Sequence, residues 1–260
     1  MTERRVWTVP SMGTVFSVHL IGHVDAVTAD AAVAGFAAEI ADIERVFSPF
    51  RAESDVARIR RGALSLAQAD PRVREVAAAC EAARGVTEGR FNGAWRGGFD
   101  PTGYVKGWAV DRAGARHLEP LLRAAGAVAV GVGAGGDVRV WTSPESTWSW
   151  RIGIADPHHQ GAVLATMDVR DGAVATSGSA ERGAHIVDPR TGRPAIGVRS
   201  ATVVAADLTT ADVWATAGVV AGMADVSWIG APGITAGMLV AEDAAVRRWA
   251  HGVEVSMIAA

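Results

Sequence analysis

The chain has 260 residues, 49% of them hydrophobic, and a formal net charge of −3. That is ample material for a sizeable core, and no basic excess points to nucleic acid or to an anionic membrane surface. A single cysteine, Cys80, excludes an internal disulfide, so nothing requires an oxidising compartment.

The opening MTERRVWTVPSMGTVFSVHLIG carries two arginines but no continuous apolar segment, and Pro10 interrupts it. It reads as one or two strands rather than a secretion signal. The apolar region ATAGVVAGMADVSWIGAPGITAGMLV is broken by Asp225, Pro232 and glycines, too often for a bilayer span. The expectation is a cytoplasmic protein without membrane insertion.

ADAAVAGFAAEIADIERVFSPF places Phe36, Ile40, Ile43 and Phe47 at spacings of four, three and four, which predicts an amphipathic helix. Asp70-Pro71 predicts the start of a second helix, with Asp as N-cap and Pro at the first position, and Gly85 its end. Cys80 falls within it as a small buried hydrophobe. GRFNGAWRGGFDPTGYVKGW reads as a long loop leading into a third helix through AVDRAGARHLEPLLRAAG, with Pro120 as a break. AVAVGVGAGGDVRVW, WSWRIGIADP, AVLATMDVRDGAVATS and RSATVVAAD are short β-rich runs. LTTADVWATAG follows as a helix, and ITAGMLVAED and HGVEVSMIAA as strands. Helices cluster early and strands late, which predicts an α+β fold of mainly antiparallel sheets with packed helices.

Four segments carry candidate chemistry. In LTTADVWATAG, Asp212 and Thr216 stand one turn apart on one face. They suit a hard cation with oxygen ligands. They equally suit a helix capped by Thr209 or Thr210, with Asp212 favoured by the dipole and Thr216 bonding back to a carbonyl. In FDPTGYVKGWAVDRA, Asp100 to Gly103 is a strong turn signal, Gly103 can expose its carbonyl and Lys106 can meet a phosphate. GAGGDVRVW precedes a strand rather than a helix, so it reads as a tight hairpin and not a dinucleotide fingerprint. ATSGSAERGAHIVDPRTGRP offers His185 as a general base and Asp188 to hold the loop. The sequence contains no Cys/His metal cluster and no nucleophile elbow.

These motifs occur in a recognisable order. MGTVFSV, FSPFRAESDVARI, FDPTGYVKGWAVDRA, GAGGD, WRIGIADP, TSGSAERGAHIVDPRTGRP and TVVAADLTTADVWATAGVVAG together resemble the ApbE family, the FAD:protein FMN transferases. The resemblance implies an ApbE-like, T-fold-like architecture over residues 1–260, as one domain or two entwined halves. It implies Mg²⁺-dependent transfer of the FMN half of FAD to a Thr or Ser hydroxyl of a target protein, releasing AMP. The partners it implies are FAD and that target protein. It assigns Asp212, Thr216 and the Gly103 carbonyl to the metal, and His185 to the base. It assigns Met12, Phe50, Arg90, Phe91, Asn92, Asp100, Lys106 and Val187 to FAD. The chain departs from some relatives in three ways: Ala215 replaces a second Asp, Phe91-Asn92 replaces Phe-Asp, and no lipobox cysteine is present. The alternatives are a Mg²⁺-dependent FAD pyrophosphatase with water as acceptor, and a non-catalytic FAD-binding protein.

Overall fold

A computed structural model of the chain describes residues 3–94, 98–178 and 186–255. Strands β1 (Arg4–Ser11) and β2 (Thr14–Gly22) form the predicted opening hairpin. Helix α1 (Ala26–Phe47) follows, capped by Asp25, whose carboxylate accepts from Thr28 N at 2.9 Å. Its stripe of Phe36, Ile40, Ile43 and Phe47 is buried as the spacing predicts. A short α2 (Asp55–Arg60) leads to α3 (Pro71–Val86), with Asp70 as N-cap and Pro71 at the first position. That helix runs one residue past Gly85 and closes on Thr87, whose hydroxyl donates to the Ala83 carbonyl at 2.7 Å. Cys80 is buried, and burial, with Asp100 adding, pushes its thiol up to about 12.

The loop then enters α4 (Thr102–Ala113), which passes through a single π-turn at Gly114–Leu118 before Pro120 begins a short α5 (Leu121–Ala124). The remaining strands are β3 (Ala127–Ala134), β4 (Asp137–Thr142), β5 (Trp150–Ala155), β6 (Val163–Val169) and β7 (Gly172–Gly178). After them come β8 (Val187–Asp188), β9 (Arg193–Pro194), β10 (Val198–Ala205), β11 (Ile234–Ala241), β12 (Val246–Ala250) and β13 (Val253–Glu254). Helix α6 (Leu208–Ala221) lies between β10 and β11.

Nine strands form one sheet in the order β1-β2-β3-β4-β7-β10-β11-β12-β13, and every described pairing in it is antiparallel. The α+β expectation therefore holds. One face carries α1, α4 and α6, whose apolar sides join Phe16, Val18, Val132, Ala175 and Leu239 in the main core. The other carries the β5–β6 hairpin, where Trp150, Ile152 and Met167 pack on Val140, Val174 and Val204. Burial on both faces explains why β3 and β10 read as near-continuous apolar runs rather than alternating ones. Among the described residues no helix is long and apolar enough to cross a membrane.

Candidate functional site

Helices α4 and α6 cross at Gly107. A Cβ there would stand 2.9 Å from the Thr209 Cα and 3.0 Å from the Leu208 carbonyl. The glycine lets the two backbones touch. One turn on, the Asp111 carboxylate accepts from Leu208 N at 2.9 Å, Thr209 N at 2.8 Å and the Thr209 hydroxyl at 2.6 Å. A side chain of α4 thus satisfies the open amides at the start of α6. Burial raises the Asp111 carboxyl above its ordinary range, partly offset by those hydrogen bonds. The helix's own N-cap is Asp207, accepting from Thr210 N at 2.7 Å, so the expected Thr209 or Thr210 cap is corrected. Asp207 wins because its carboxylate reaches the third amide of the helix, while the Thr209 hydroxyl is drawn to Asp111.

This crossing fixes the predicted residues. Lys106, on α4, directs its ammonium between two carboxylates. It contacts Asp137 Oδ2 directly and lies 3.2 Å from Asp212 Oδ2. Burial alone would lower the ammonium's pKa, but Asp212 and Asp137 outweigh it and hold it up to about 12. Lys106 is therefore charged across the physiological range. Asp212 is 8% exposed and Asp137 only 3%. Thr216, one turn beyond Asp212, does not bond back along its helix; its hydroxyl shares a 3.1 Å hydrogen bond with Ser177 at the end of β7. Gly103 lies one turn before Lys106 on α4 and is exposed. The Phe91 ring packs against it, 3.4 Å from where a Cβ would stand.

The surrounding turns gather at the same end of the sheet. Gly135 and Gly136, both at positive φ, make the predicted β3–β4 turn directly before Asp137. Met12 and Gly13, at φ 52° and 69°, turn the neighbouring β1–β2 hairpin. Methionine in the left-handed region is uncommon and carries strain. The Ser11 hydroxyl donates to Glu44 at 2.7 Å, tying this hairpin to the end of α1. Just beyond it Phe50 is 95% exposed. Asp100 accepts from the Thr102 amide and hydroxyl and pairs with Arg60 at 3.1 Å.

Other predicted residues are already engaged. Arg90 is buried and bonds Asp225 at 2.5 Å, Glu88 at 2.9 Å and the Thr87 carbonyl at 3.2 Å. Asn92 Oδ1 accepts from Ala94 N. Val187 begins the small β8–β9 hairpin, where Asp188 holds the Arg190 amide and guanidinium. His185 lies outside the described residues.

Sequence reasoning missed Asp137, reading GAGGD as a turn only. A signal was present: of twenty-five Lys and Arg side chains, Lys106 is the only lysine. Its ammonium is a compact point charge, and a lone lysine in a chain that otherwise uses arginine marks the place where it sits. Ser177 closes the β-rich run AVLATMDVRDGAVATS, but its Thr216 partner depends on sheet register and is not visible in sequence.

No group of three His, Cys, Asp or Glu side chains able to hold a metal occurs among the described residues. The oxygens the structure brings together here are the Asp212 carboxylate and the Thr216 and Ser177 hydroxyls. Such a set suits Mg²⁺, which commonly takes one or two carboxylates and completes its shell with water and substrate phosphate. A separate cavity of ≈ 440 Å³, lined by Glu39, Asp42, Arg72, Arg112, Arg116 and His117, contains none of these residues. Its charges largely pair with one another: Arg112 and His117 with Glu39, and Arg72 with Asp42.

A family model described as the ApbE family matches residues 12–97 and 95–236. An FAD:protein FMN transferase of Rhodobacter capsulatus is 36% identical over 158 residues, 57% of this chain and 29% of that protein. The match thus spans less than a third of that curated relative. The ApbE protein of Thermotoga maritima superimposes with a TM-score of 0.79 at 25% identity, covering 95% of this chain and 97% of that one. The flavin transferase ApbE of Vibrio cholerae, at 20% identity, shares the fold with a TM-score of 0.75 over 96% and 97% of the two chains.

Proposed function

The chain belongs to the ApbE family, and from that premise we propose that it transfers the FMN half of FAD to a Thr or Ser hydroxyl of a target protein. The observation that carries this reading is the buried group of Lys106, Asp137 and Asp212 beside the Thr216 and Ser177 hydroxyls. Two carboxylates against one ammonium leave one net negative charge, which favours a divalent cation.

Asp212, Thr216 and the Gly103 carbonyl are the groups that would hold Mg²⁺. When bound, the ion neutralises charge on the pyrophosphate and on the departing AMP. Lys106 adds a fixed positive charge at the same place, in surroundings that water screens weakly. Phe50 offers an open aromatic face to a planar ring. The Phe91 ring and the α4 backbone at Gly103 form one wall.

In the reaction, the acceptor oxygen forms a bond to the FMN-side phosphorus as the bond to the AMP oxygen breaks. His185 takes the hydroxyl proton, a contribution of about 10²–10⁴-fold for a positioned base. The attack is direct, without a covalent enzyme intermediate. The test is product analysis of FAD incubations with Mg²⁺ or with EDTA, each with and without a candidate acceptor. AMP release that needs both Mg²⁺ and acceptor supports transfer. Equal AMP and FMN release without acceptor identifies a pyrophosphatase, and no FAD turnover identifies a binding protein.

A further inference from the structure

Asp137 has a position its turn does not require. It stands at the first residue of β4, directly after Gly135-Gly136, and is 3% exposed. Its Oδ1 accepts from Thr176 N at 2.9 Å, on the adjacent strand β7. Its Oδ2 meets Lys106. One oxygen is thus pinned to the sheet while the other is given to the chain's only lysine. Burying a carboxylate and an ammonium is costly, and a Gly-Gly turn needs neither. On the far side of that ammonium stands Asp212, 3.2 Å away on α6.

Resting on the functional reading above, we propose that Asp137 is a positioning residue. It anchors the Lys106 ammonium on the sheet, so that Asp212 keeps its charge for a divalent cation and Lys106 keeps protons for the pyrophosphate. Without Asp137, the ammonium has one carboxylate left to pair with, and that carboxylate is Asp212. Lys106 then competes with the cation instead of assisting it. The three charges also set opposite signs for two substitutions. Asp137→Asn takes the net charge of the group from −1 to zero. Lys106→Met takes it from −1 to −2. An Asp137 that only supports the turn predicts an unchanged Mg²⁺ affinity in a folded Asp137→Asn.

The experiment is isothermal titration of Mg²⁺ into the full chain, with and without FAD, for the parent, Asp137→Asn, Asp137→Glu and Lys106→Met. Near-ultraviolet circular dichroism reports folding. Asp137→Asn is expected to weaken Mg²⁺ binding about 10- to 100-fold, the usual effect of removing a group that orients a metal ligand. Asp137→Glu, which retains the charge, recovers part of that loss. Lys106→Met is expected to bind Mg²⁺ more tightly than the parent in the absence of FAD, yet to bind FAD more weakly. Unchanged Mg²⁺ affinity in a folded Asp137→Asn overturns the proposal. If Asp137→Asn does not fold, Asp137→Glu decides: a folded variant that binds Mg²⁺ more weakly than the parent upholds the proposal, and one that binds it equally overturns it. A parent that binds neither Mg²⁺ nor FAD refutes the functional reading itself, and the proposal with it.

Discussion

Replacing Gly107 by alanine tests the helix crossing that organises the site. In an ordinary helix interior the change would stabilise by about 1 kcal/mol through backbone entropy. Here the new methyl would stand 2.9 Å from the Thr209 Cα and 3.0 Å from the Leu208 carbonyl carbon and oxygen. All three are backbone atoms, so no side chain can swing aside. Ordinary contact begins about 0.5 Å further out, and the helices must separate by that amount. Separation stretches the bonds from Asp111 to Leu208 and Thr209 in the same contact. Overpacking of this kind costs about 1–3 kcal/mol. The net expectation is a loss of up to about 2 kcal/mol, or a melting point lower by up to about 8 °C at this chain length. Gly85→Ala in α3 is the control: nothing lies within 4 Å of its added methyl. It should gain about 0.4–1 kcal/mol. FAD turnover should fall in Gly107→Ala and not in Gly85→Ala, because only the first moves Lys106 against Asp212. A higher melting point in Gly107→Ala would refute the reasoning.

Asp212→Asn should leave the melting point within a few degrees of the parent but cut turnover by orders of magnitude, with partial recovery at high Mg²⁺; an unchanged Mg²⁺ dependence would remove the metal role. Phe50→Ala should not alter stability, since the ring is 95% exposed, but should weaken FAD binding by about 0.5–1.5 kcal/mol in a fluorescence titration. His185→Ala should bind FAD normally and lose transfer, as read by AMP release. Arg72→Met tests a structural ion pair through pH. The Arg72 guanidinium hydrogen-bonds Asp70 and holds its carboxyl below the ordinary value, with burial opposing. That stabilisation is present above the ordinary carboxylate pKa and is lost as pH falls through the depressed folded value. The variant should therefore be less stable at pH 6–7, by about 1 kcal/mol, and the gap should close as pH falls through the depressed folded value of Asp70.

The parts of this structure that are legible in sequence are those written within a few residues. The α1 stripe, the Asp70-Pro71 start, the Pro120 break and the Gly135-Gly136 turn each depend on neighbours in the chain. So does the one-turn spacing of Asp212 and Thr216, and the family resemblance rests on such local motifs taken in order. What was hidden is long-range. Asp111 caps a helix 97 residues away, so Thr209 looked like a cap in its own right. Thr216 finds Ser177 only because β7 pairs beside β10 under α6. Arg90 looked available for a ligand until Asp225, 135 residues on, was brought to it. Asp137 was concealed by its glycines, which explain a turn so completely that its carboxylate seemed part of it.

The central claim is group transfer to a protein, and it is tested most directly by mass spectrometry of a candidate flavoprotein incubated with this chain, FAD and Mg²⁺. The account predicts one adduct equal to FMN less water on a single Thr or Ser, matched by one equivalent of AMP and absent when EDTA replaces Mg²⁺. FAD converted to free FMN and AMP, with every tested acceptor unmodified, would contradict it.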